Sequence, residues 1–142
     1  MILLDANAVL ALARGEVAAD EVAEIVHSSD VAMSAANFLE TAEQLVRLYG
    51  WSPTETSEKL GVLVGRYLRV VPVDEGVAWR GALLRARHYH RMTCALSLAD
   101  CALLASAGPD DSIATADPAG AFVARAEGIG LIPLPDSSGQ RP

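Results

Sequence analysis

Short apolar segments alternate along this chain with longer stretches in which apolar and polar residues repeat with a helical period. Short apolar segments bounded by polar or turn residues are typical of buried parallel strands. They predict strands at Ile2–Leu4, Val31–Ser34, Val70–Val73, Ser112–Thr115 and Leu131–Leu134. The helical pattern predicts helices at about residues 6–13, 18–28, 36–49, 53–68, 75–89, 96–107 and 119–126.

The regular alternation of strands and helices predicts the fold class. Parallel strands are joined by helical crossovers, and these crossovers cover both faces of the sheet. We therefore expect an α/β protein of three α/β/α layers, with a four- to five-stranded parallel sheet flanked by helices. No repeat or linker interrupts the pattern, so one domain is expected over residues 1–134, and "PDSSGQRP" at 135–142 is expected to be a disordered tail.

Composition narrows the class of protein. Of the 142 residues, 51% are hydrophobic and 20% are charged, which is typical of a globular domain with a sizeable core. No apolar run is long enough to span a membrane, and no basic segment precedes the first apolar run, so we expect a cytoplasmic protein. The two cysteines, Cys94 and Cys101, are expected to be free and buried.

Two aspartates follow predicted strands directly. Asp5 comes after Ile2–Leu4, and Asp117 comes shortly after Ser112–Thr115. In an open parallel sheet, binding sites form beyond the carboxyl ends of the strands, so both side chains are expected at one functional edge. Helix capping is the alternative role for each, because Asp is a good N-cap and Pro118 suits a first helical position.

A third aspartate lies in an almost wholly apolar helix. Asp100, in "ALSLADCALLASA", shares the most apolar side of this predicted helix with Leu96, Leu103 and Leu104. An unpaired charge buried there would cost several kcal/mol or more. The helix must run antiparallel to the strand that follows it, so Asp100 is expected at the same edge as Asp5 and Asp117. The alternative is an exposed Asp on a helix whose phase is misjudged.

The fourth acid is less distinct. Glu40 lies in the second turn of the helix after Val31–Ser34, off its apolar stripe, and both a surface position and the nearby Glu43 are open alternatives.

Carboxylates gathered at one edge repel each other and stay ionised together only if a cation neutralises them. Oxygen ligands without His or Cys favour Mg²⁺ or Mn²⁺, which commonly assist phosphoryl chemistry.

Four segments in order resemble the PIN-domain ribonucleases, specifically the VapC-type toxins of bacterial toxin–antitoxin pairs. "LLDANAVLAL" is similar to the family's opening strand with its first Asp, and "MSAANFLETAEQL" to the segment that carries its Glu. "SLADCALLASA" is similar to the third acidic motif and "IATADPAGA" to the fourth. The Ser-to-Glu spacing of the second segment selects Glu40 over Glu43. One departure is Asn37, where many relatives have Thr, and little consequence is expected from it.

The resemblance implies an activity and a site. Residues 1–134 would form a PIN domain that acts as a metal-dependent endoribonuclease, with Mg²⁺ or Mn²⁺ activating water to hydrolyse an RNA phosphodiester. The catalytic acids would be Asp5, Glu40, Asp100 and Asp117. Asp5 and Asp100 would bind the metal, with Glu40 and Asp117 as further ligands. Asn7 would support them, and Thr115 would orient Asp117 or a water on the metal.

The resemblance also implies partners. Members of this family are often homodimers, and a small cognate antitoxin protein inhibits them by inserting into the active-site groove.

A net charge of −7 argues against RNA binding by the overall field, so a local basic patch is required. The arginine-rich stretch between residues 66 and 91 is the candidate, and Arg85, Arg87 and Arg91 are the residues expected to bind RNA.

Two other classes of function are considered. A haloacid-dehalogenase-like phosphohydrolase also opens with a strand that ends in Asp, but it requires a second Asp where this chain has Asn7, and a catalytic lysine, whereas Lys59 is the only lysine. A response-regulator receiver would need a late lysine, and a P-loop enzyme would need a GxxxxGK[ST] motif, which is missing. The other alternative is a catalytically inactive PIN-fold binding module, against which the complete set of four acids argues.

Overall fold

The five strands form one wholly parallel sheet in the computed structural model, which describes all 142 residues. The strands are β1 (Ile2–Leu4), β2 (Val31–Ser34), β3 (Arg69–Val71), β4 (Ser112–Thr115) and β5 (Gly130–Pro133). Their order across the sheet is β3-β2-β1-β4-β5, so β1 is central and the chain moves outward from it in both directions. The predicted α/β/α class with its flanking helices is confirmed.

Seven helices connect or follow these strands. They are α1 (Ala6–Arg14), α2 (Ala19–Ser28), α3 (Ala35–Arg47), α4 (Pro53–Arg66), α5 (Glu75–His88), α6 (Leu98–Ser106) and α7 (Pro118–Glu127). All lie where the hydrophobic period predicts a helix, but α6 begins later than expected. It starts at Leu98 because Ser97 caps it, with the Ser97 hydroxyl accepting a hydrogen bond from the Asp100 amide at 3.0 Å.

The predicted strands Val70–Val73 and Leu131–Leu134 both begin one residue earlier in the structure. Strand β3 pairs with β2 from Ala32↔Arg69 to Ser34↔Val71, and it ends there because Ser34 leaves the sheet to cap α3. Strand β5 begins at Gly130 because Gly130 pairs with Ser112, the first residue of β4. The ladder partner therefore sets these ends, and a partner strand cannot be identified from local sequence.

Alternate residues of each strand enter two separate cores. Leu4 and Met33 face a core that α1, α2, α3 and α4 cover, whereas Leu3 and Ile113 face a core that α6 and α7 cover. Cys94 and Cys101 are both free and buried in the second core, as predicted. Because the sheet is buried on both faces, polar side chains can reach solvent mainly at the ends of its strands.

The C-terminal segment follows β5 along the surface. Asp136 organises a turn, and Arg141 Nη2 lies 2.7 Å from Glu21 Oε2 on α2. The expected disorder of residues 135–142 stays a prediction.

None of the helices has both the length and the apolar character that crossing a membrane requires.

The close approach of β4 and β5 leads to a stability prediction. A Cβ on Gly130 would contact Ser112 Oγ and would lie 2.8 Å from the Asp111 carbonyl oxygen, so the strands must separate to admit it. We expect Gly130→Ala to lower the free energy of unfolding by about 1–3 kcal/mol in urea denaturation. Gly61→Ala is the matched control, because Gly61 lies inside α4 with nothing within 4 Å of its Cβ position.

Gly61→Ala should raise the free energy of unfolding by up to about 1 kcal/mol through helix propensity. Equal stability of Gly130→Ala and the unmodified protein would show that the contact between β4 and β5 is looser than described.

Candidate acidic site

Asp5 lies at the centre of the carboxyl edge of the sheet, where β1 ends and α1 begins. It caps α1, and its Oδ1 accepts a hydrogen bond from the Ala8 amide at 2.6 Å. Its Oδ2 accepts a hydrogen bond from the Thr115 hydroxyl at the end of the neighbouring strand β4. Only 2% of Asp5 is exposed, so this carboxylate is fixed in orientation and removed from water.

Asp117 lies beside Asp5 because β4 is next to β1. It caps α7, and its Oδ2 accepts a hydrogen bond from the Gly120 amide at 2.6 Å. The Thr115 hydroxyl accepts a hydrogen bond from the Asp117 amide at 2.9 Å while it donates to Asp5. Thr115 therefore links the two aspartates through one hydroxyl, a connection that only the pairing of β1 with β4 makes possible.

Asp100 reaches the same edge from α6. It is half-buried and completes a capping box with Ser97, whose amide donates to Asp100 Oδ2 at 2.8 Å. The expected burial among leucines is only partly met, because Asp100 lies in the first turn, where the helix emerges from the core. The S-x-x-D spacing is a sequence signature of a capping box, so this role of Ser97 could have been predicted.

Glu40 is half-buried in the second turn of α3, with its Oε1 accepting a hydrogen bond from Gln44 Nε2 at 3.1 Å. Its negative neighbour is Asp100, whose charge contributes to a raised Glu40 pKa after the larger effect of burial. Glu43 is exposed and is paired with Arg47 on the outer face of the same helix. The structure therefore brings Glu40, and not Glu43, toward the other acids.

Burial, and after it the charge of Asp100, raises the pKa of three acids of this edge, Asp5, Glu40 and Asp117. The pKa of Asp5 is raised to about 7, with burial as the largest cause; the nearby charges of Asp100 and Asp117 add to the rise, and the hydrogen bonds from Thr115 and Ala8 oppose it. Burial also raises the pKa of Asp117, with Asp100 contributing. Asp100 thus lies close enough to influence all three other acids, and none of the four forms an ion pair with a basic side chain.

This donor set suits a hard cation. Four carboxylates without a basic partner offer oxygen ligands and an excess of negative charge, which match Mg²⁺ or Mn²⁺. The side chains are not drawn together as a finished ligand cluster, since no three His, Cys, Asp or Glu groups converge closely enough to hold an ion as they stand. The four acids are the residues that would hold such a cation, and Asp5 is already fixed in orientation by its hydrogen bonds from Ala8 and Thr115.

Two asparagines flank the acids. Asn7 is exposed on the first turn of α1, on the side of Asp117. Asn37 is fully buried at the start of α3, one turn before Glu40, and accepts a hydrogen bond from the Ser34 hydroxyl. The Asn37 Nδ2 group donates no hydrogen bond, which is unusual because a buried N–H group is normally paired. Little consequence is expected of having Asn here, where many relatives have Thr, and the unmet donor is visible only in the tertiary structure.

The three arginines expected to bind RNA lie in different environments. Arg85 is half-buried, donates to the Leu96 carbonyl and stacks on the Tyr89 ring. Arg87 pairs with Glu127 at 2.6 Å, at the far end of α7 from Asp117. Arg91 is exposed and pairs with no acid. Their role in RNA binding stays a prediction.

Several solved structures are similar to this chain in fold. FitAcB from Neisseria gonorrhoeae is 24% identical, with a TM-score of 0.63 over 93% of this chain and 96% of that one. DNA-bound VapBC from Salmonella typhimurium is 17% identical, with a TM-score of 0.68 over 92% and 96%. VapC20 from Mycobacterium tuberculosis, described as a sarcin-ricin loop cleaving toxin, is 19% identical, with a TM-score of 0.61 over 91% and 85%.

Sequence comparison gives the family. Among curated proteins there is no match to this chain. The family model described as "PIN domain" matches residues 2–127, a span that contains strands β1 to β4, all seven helices and all four acids of the edge, and that ends before β5. The chain therefore belongs to the PIN domain family.

Proposed function

We propose that this protein is a metal-dependent endoribonuclease and the toxin of a VapBC-type toxin–antitoxin pair. The observation that carries the proposal is the placement of Asp5, Glu40, Asp100 and Asp117 along one carboxyl edge of a PIN fold, with no basic partner. The structurally similar proteins support it, since one is described as a sarcin-ricin loop cleaving toxin and another as a toxin–antitoxin complex. RNA as substrate also favours the cytoplasm as the place of action.

The chain's own residues account for how the acids would work. Asp5 and Asp100 would hold Mg²⁺ or Mn²⁺, with Glu40 and Asp117 as further ligands or supports. When bound, the cation would supply positive charge to polarise the scissile phosphate and to favour deprotonation of an attacking water. Asp5 is oriented in advance because both its oxygens accept hydrogen bonds, from Ala8 and Thr115.

Among the four acids, Glu40 is the best candidate to accept the proton of the attacking water. Its Oε1 is occupied by Gln44, whereas its Oε2 accepts no hydrogen bond and is free to take a proton from the attacking water. Its raised pKa makes it a stronger base than an ordinary glutamate, because burial and the charge of Asp100 disfavour its ionised form.

The dehalogenase-like alternative finds no support in the arrangement of the side chains. Lys59, the only lysine, pairs with Glu55 at 2.9 Å and lies over the Trp51 ring on α4, among residues that contribute nothing to the acidic edge. An inactive PIN-fold binding module is the remaining alternative, and the presence or absence of metal-dependent cleavage distinguishes the two.

The proposed partners are a small antitoxin protein and a second copy of this chain. Large apolar side chains that are exposed next to each other on one face are typical of an interaction surface. On α5, Trp79 is 69% exposed and Leu83, one turn later on the same face, is 49% exposed. We assign this α5 face to a homodimer and the acidic edge to the antitoxin.

Paired N-cap substitutions test the proposed activity. Asp117→Asn should lower Mn²⁺-dependent cleavage of RNA by about 100-fold or more, because a group of the charged site is lost. Asp74→Asn is the matched control, since Asp74 caps α5 in the same way, accepting from the Val77 amide at 2.8 Å, but lies outside the acidic site. Asn caps helices as well as Asp does, so both variants should fold.

Full activity of Asp117→Asn, or an equal loss in Asp74→Asn, would contradict the assignment of the site. Absence of cleavage by the unmodified protein on any RNA, with Mg²⁺ or Mn²⁺, would favour the inactive binding module.

The buried Asp5 predicts a pH dependence of stability. Its pKa is about 7 in the folded protein against 3.8 for an ordinary Asp, so between these values the folded state holds a proton that the unfolded state has released. Without metal, stability should therefore fall as the pH rises from about 4 to about 7, by at most about 1.4 kcal/mol per pH unit. Urea denaturation across this range should show a shallower slope for Asp5→Asn.

Metal should reverse this effect at neutral pH. Mn²⁺ favours the ionised carboxylate and binds only the folded state, so it should raise the Tm of the unmodified protein at pH 7.5, but not that of Asp5→Asn. Identical pH slopes for both proteins, together with no rise in Tm, would contradict a shared cation site at Asp5.

The proposed dimer face is tested by light scattering. The double substitution Trp79→Glu and Leu83→Glu should convert a dimer to a monomer, because it places charges where apolar side chains are covered. Val62→Glu is the control, since Val62 is 55% exposed on α4 and lies outside the proposed face. A monomeric unmodified protein, or dissociation by the control as well, would exclude this α5 face as the interface.

A further inference from the structure

A cavity of about 490 Å³ opens beside the acidic site and continues away from it. Asn7 and Asp117 line its near end, so it is continuous with the acidic edge. It follows α1 from Asn7 to Arg14 and reaches Tyr49, and residues 135–137 also line it. Asn7 and Arg14 are seven residues apart, which corresponds to about 10 Å of helix, so the far end lies within reach of a neighbouring nucleotide of a strand held at the acidic edge.

The far end of the cavity carries a flat stacked pair. The Arg14 guanidinium lies over the Tyr49 ring, with 3.6 Å between its central carbon and the ring centroid. Tyr49 remains 37% exposed, so the pair is not buried in the core. Aromatic rings and arginine planes are the surfaces on which unpaired RNA bases stack.

The charges of the cavity favour a base over a phosphate. Arg14 is already paired with Glu16, and a further carboxylate, Asp136, also lines the cavity. Asp136 Oδ1 accepts hydrogen bonds from the Ser138 hydroxyl at 2.7 Å and the Gln140 amide at 2.9 Å, while Oδ2 accepts none. A phosphate would be repelled there, whereas the exocyclic amino group of a base could donate to the free oxygen.

We propose that this cavity is a base-recognition subsite, in which an unpaired RNA base next to the scissile phosphate stacks on the Arg14–Tyr49 pair and donates its amino group to Asp136. The subsite rests on the proposed ribonuclease function and extends it, because it supplies sequence preference to a site whose acids recognise none. Hydrogen bonds from Ser138 and Gln140 hold the pKa of Asp136 below its ordinary value, which keeps the acceptor ionised at neutral pH.

The test measures RNA affinity with Ca²⁺ in place of Mg²⁺, so that cleavage is suppressed. Short oligocytidine and oligouridine strands are the probes, since cytosine has an amino group where uracil has a carbonyl oxygen. Tyr49→Leu should weaken binding of oligocytidine about tenfold, because apolar bulk remains but the stacking surface is lost, whereas Tyr49→Phe should bind as tightly as the unmodified protein.

Tyr67→Leu is the matched control. Tyr67 is also 37% exposed and also lies beside an arginine, Arg66, but it lines a different cavity, near the beginnings of β2 and β3. This substitution should leave the affinity for both strands unchanged.

Asp136→Asn provides a second and independent variant. The unmodified protein should bind oligocytidine several-fold more tightly than oligouridine, and Asp136→Asn should lose this preference, because its amide presents a donor as well as an acceptor. The measurement does not depend on the stability of the Tyr49 variants.

The inference is overturned if Tyr49→Leu binds as the unmodified protein does, if Tyr67→Leu weakens binding equally, or if cytidine is not preferred. Cleavage of RNA by the unmodified protein in parallel assays separates the two proposals. If the unmodified protein cleaves RNA, any of these results contradicts the subsite but not the ribonuclease function. If it neither cleaves RNA nor binds either strand, both proposals are contradicted.

Discussion

The burial of the Asp5 carboxylate is the constraint on which the rest of the edge depends. A carboxylate with 2% exposure loses its hydration, and the free-energy cost is large unless hydrogen bonds replace the lost water. The two replacements come from Ala8, on the helix that follows β1, and from Thr115, on the strand that pairs with β1. Asp5 can therefore be accommodated only where a strand, its following helix and a neighbouring parallel strand meet.

The same geometry explains why the other acids gather there. In a parallel sheet, helices that follow strands begin at the carboxyl edge, and each beginning has unpaired amide groups that an acidic side chain can cap. Asp5 and Asp117 cap α1 and α7, and Asp100 takes part in the capping box of α6. Capping and cation binding are therefore not exclusive alternatives, because one carboxylate can serve the local helix and still contribute its charge to the shared edge.

This arrangement stores electrostatic repulsion that a ligand can relieve. The positive ends of several helix dipoles point at the edge and compensate part of the charge. The compensation is incomplete, because the pKa of Asp5 still rises to about 7 and those of Glu40 and Asp117 are also raised. A site of this kind gains more from a divalent cation than from protons alone, which is the physical basis of the proposed metal dependence.

The proposed activity on RNA would require an acidic protein to place its attractive contacts locally. With a net charge of −7, the overall field repels a phosphate backbone, and Arg87, one of the expected RNA contacts, is already engaged with Glu127. Base stacking is less sensitive to the overall charge than phosphate binding is. The Arg14–Tyr49 pair therefore offers a form of contact that suits this charge balance, and neither residue stands out in the sequence.

The sequence by itself determined the α/β class, most element boundaries and the expected placement of Asp5, Asp100 and Asp117 at one edge, because hydrophobic period and strand-end position are local properties of the chain. Glu40 was selected over Glu43 only by the resemblance to the PIN-domain ribonucleases, since the local pattern left both open. The S-x-x-D capping box at Ser97 was equally visible in the sequence. Only the tertiary structure decided which strands pair, and with that the hydrogen bond from Thr115 to Asp5, the unmet donor of Asn37 and the meeting of Arg14 with Tyr49. These features join residues that are distant in the chain or depend on burial from several elements, so no local pattern could encode them.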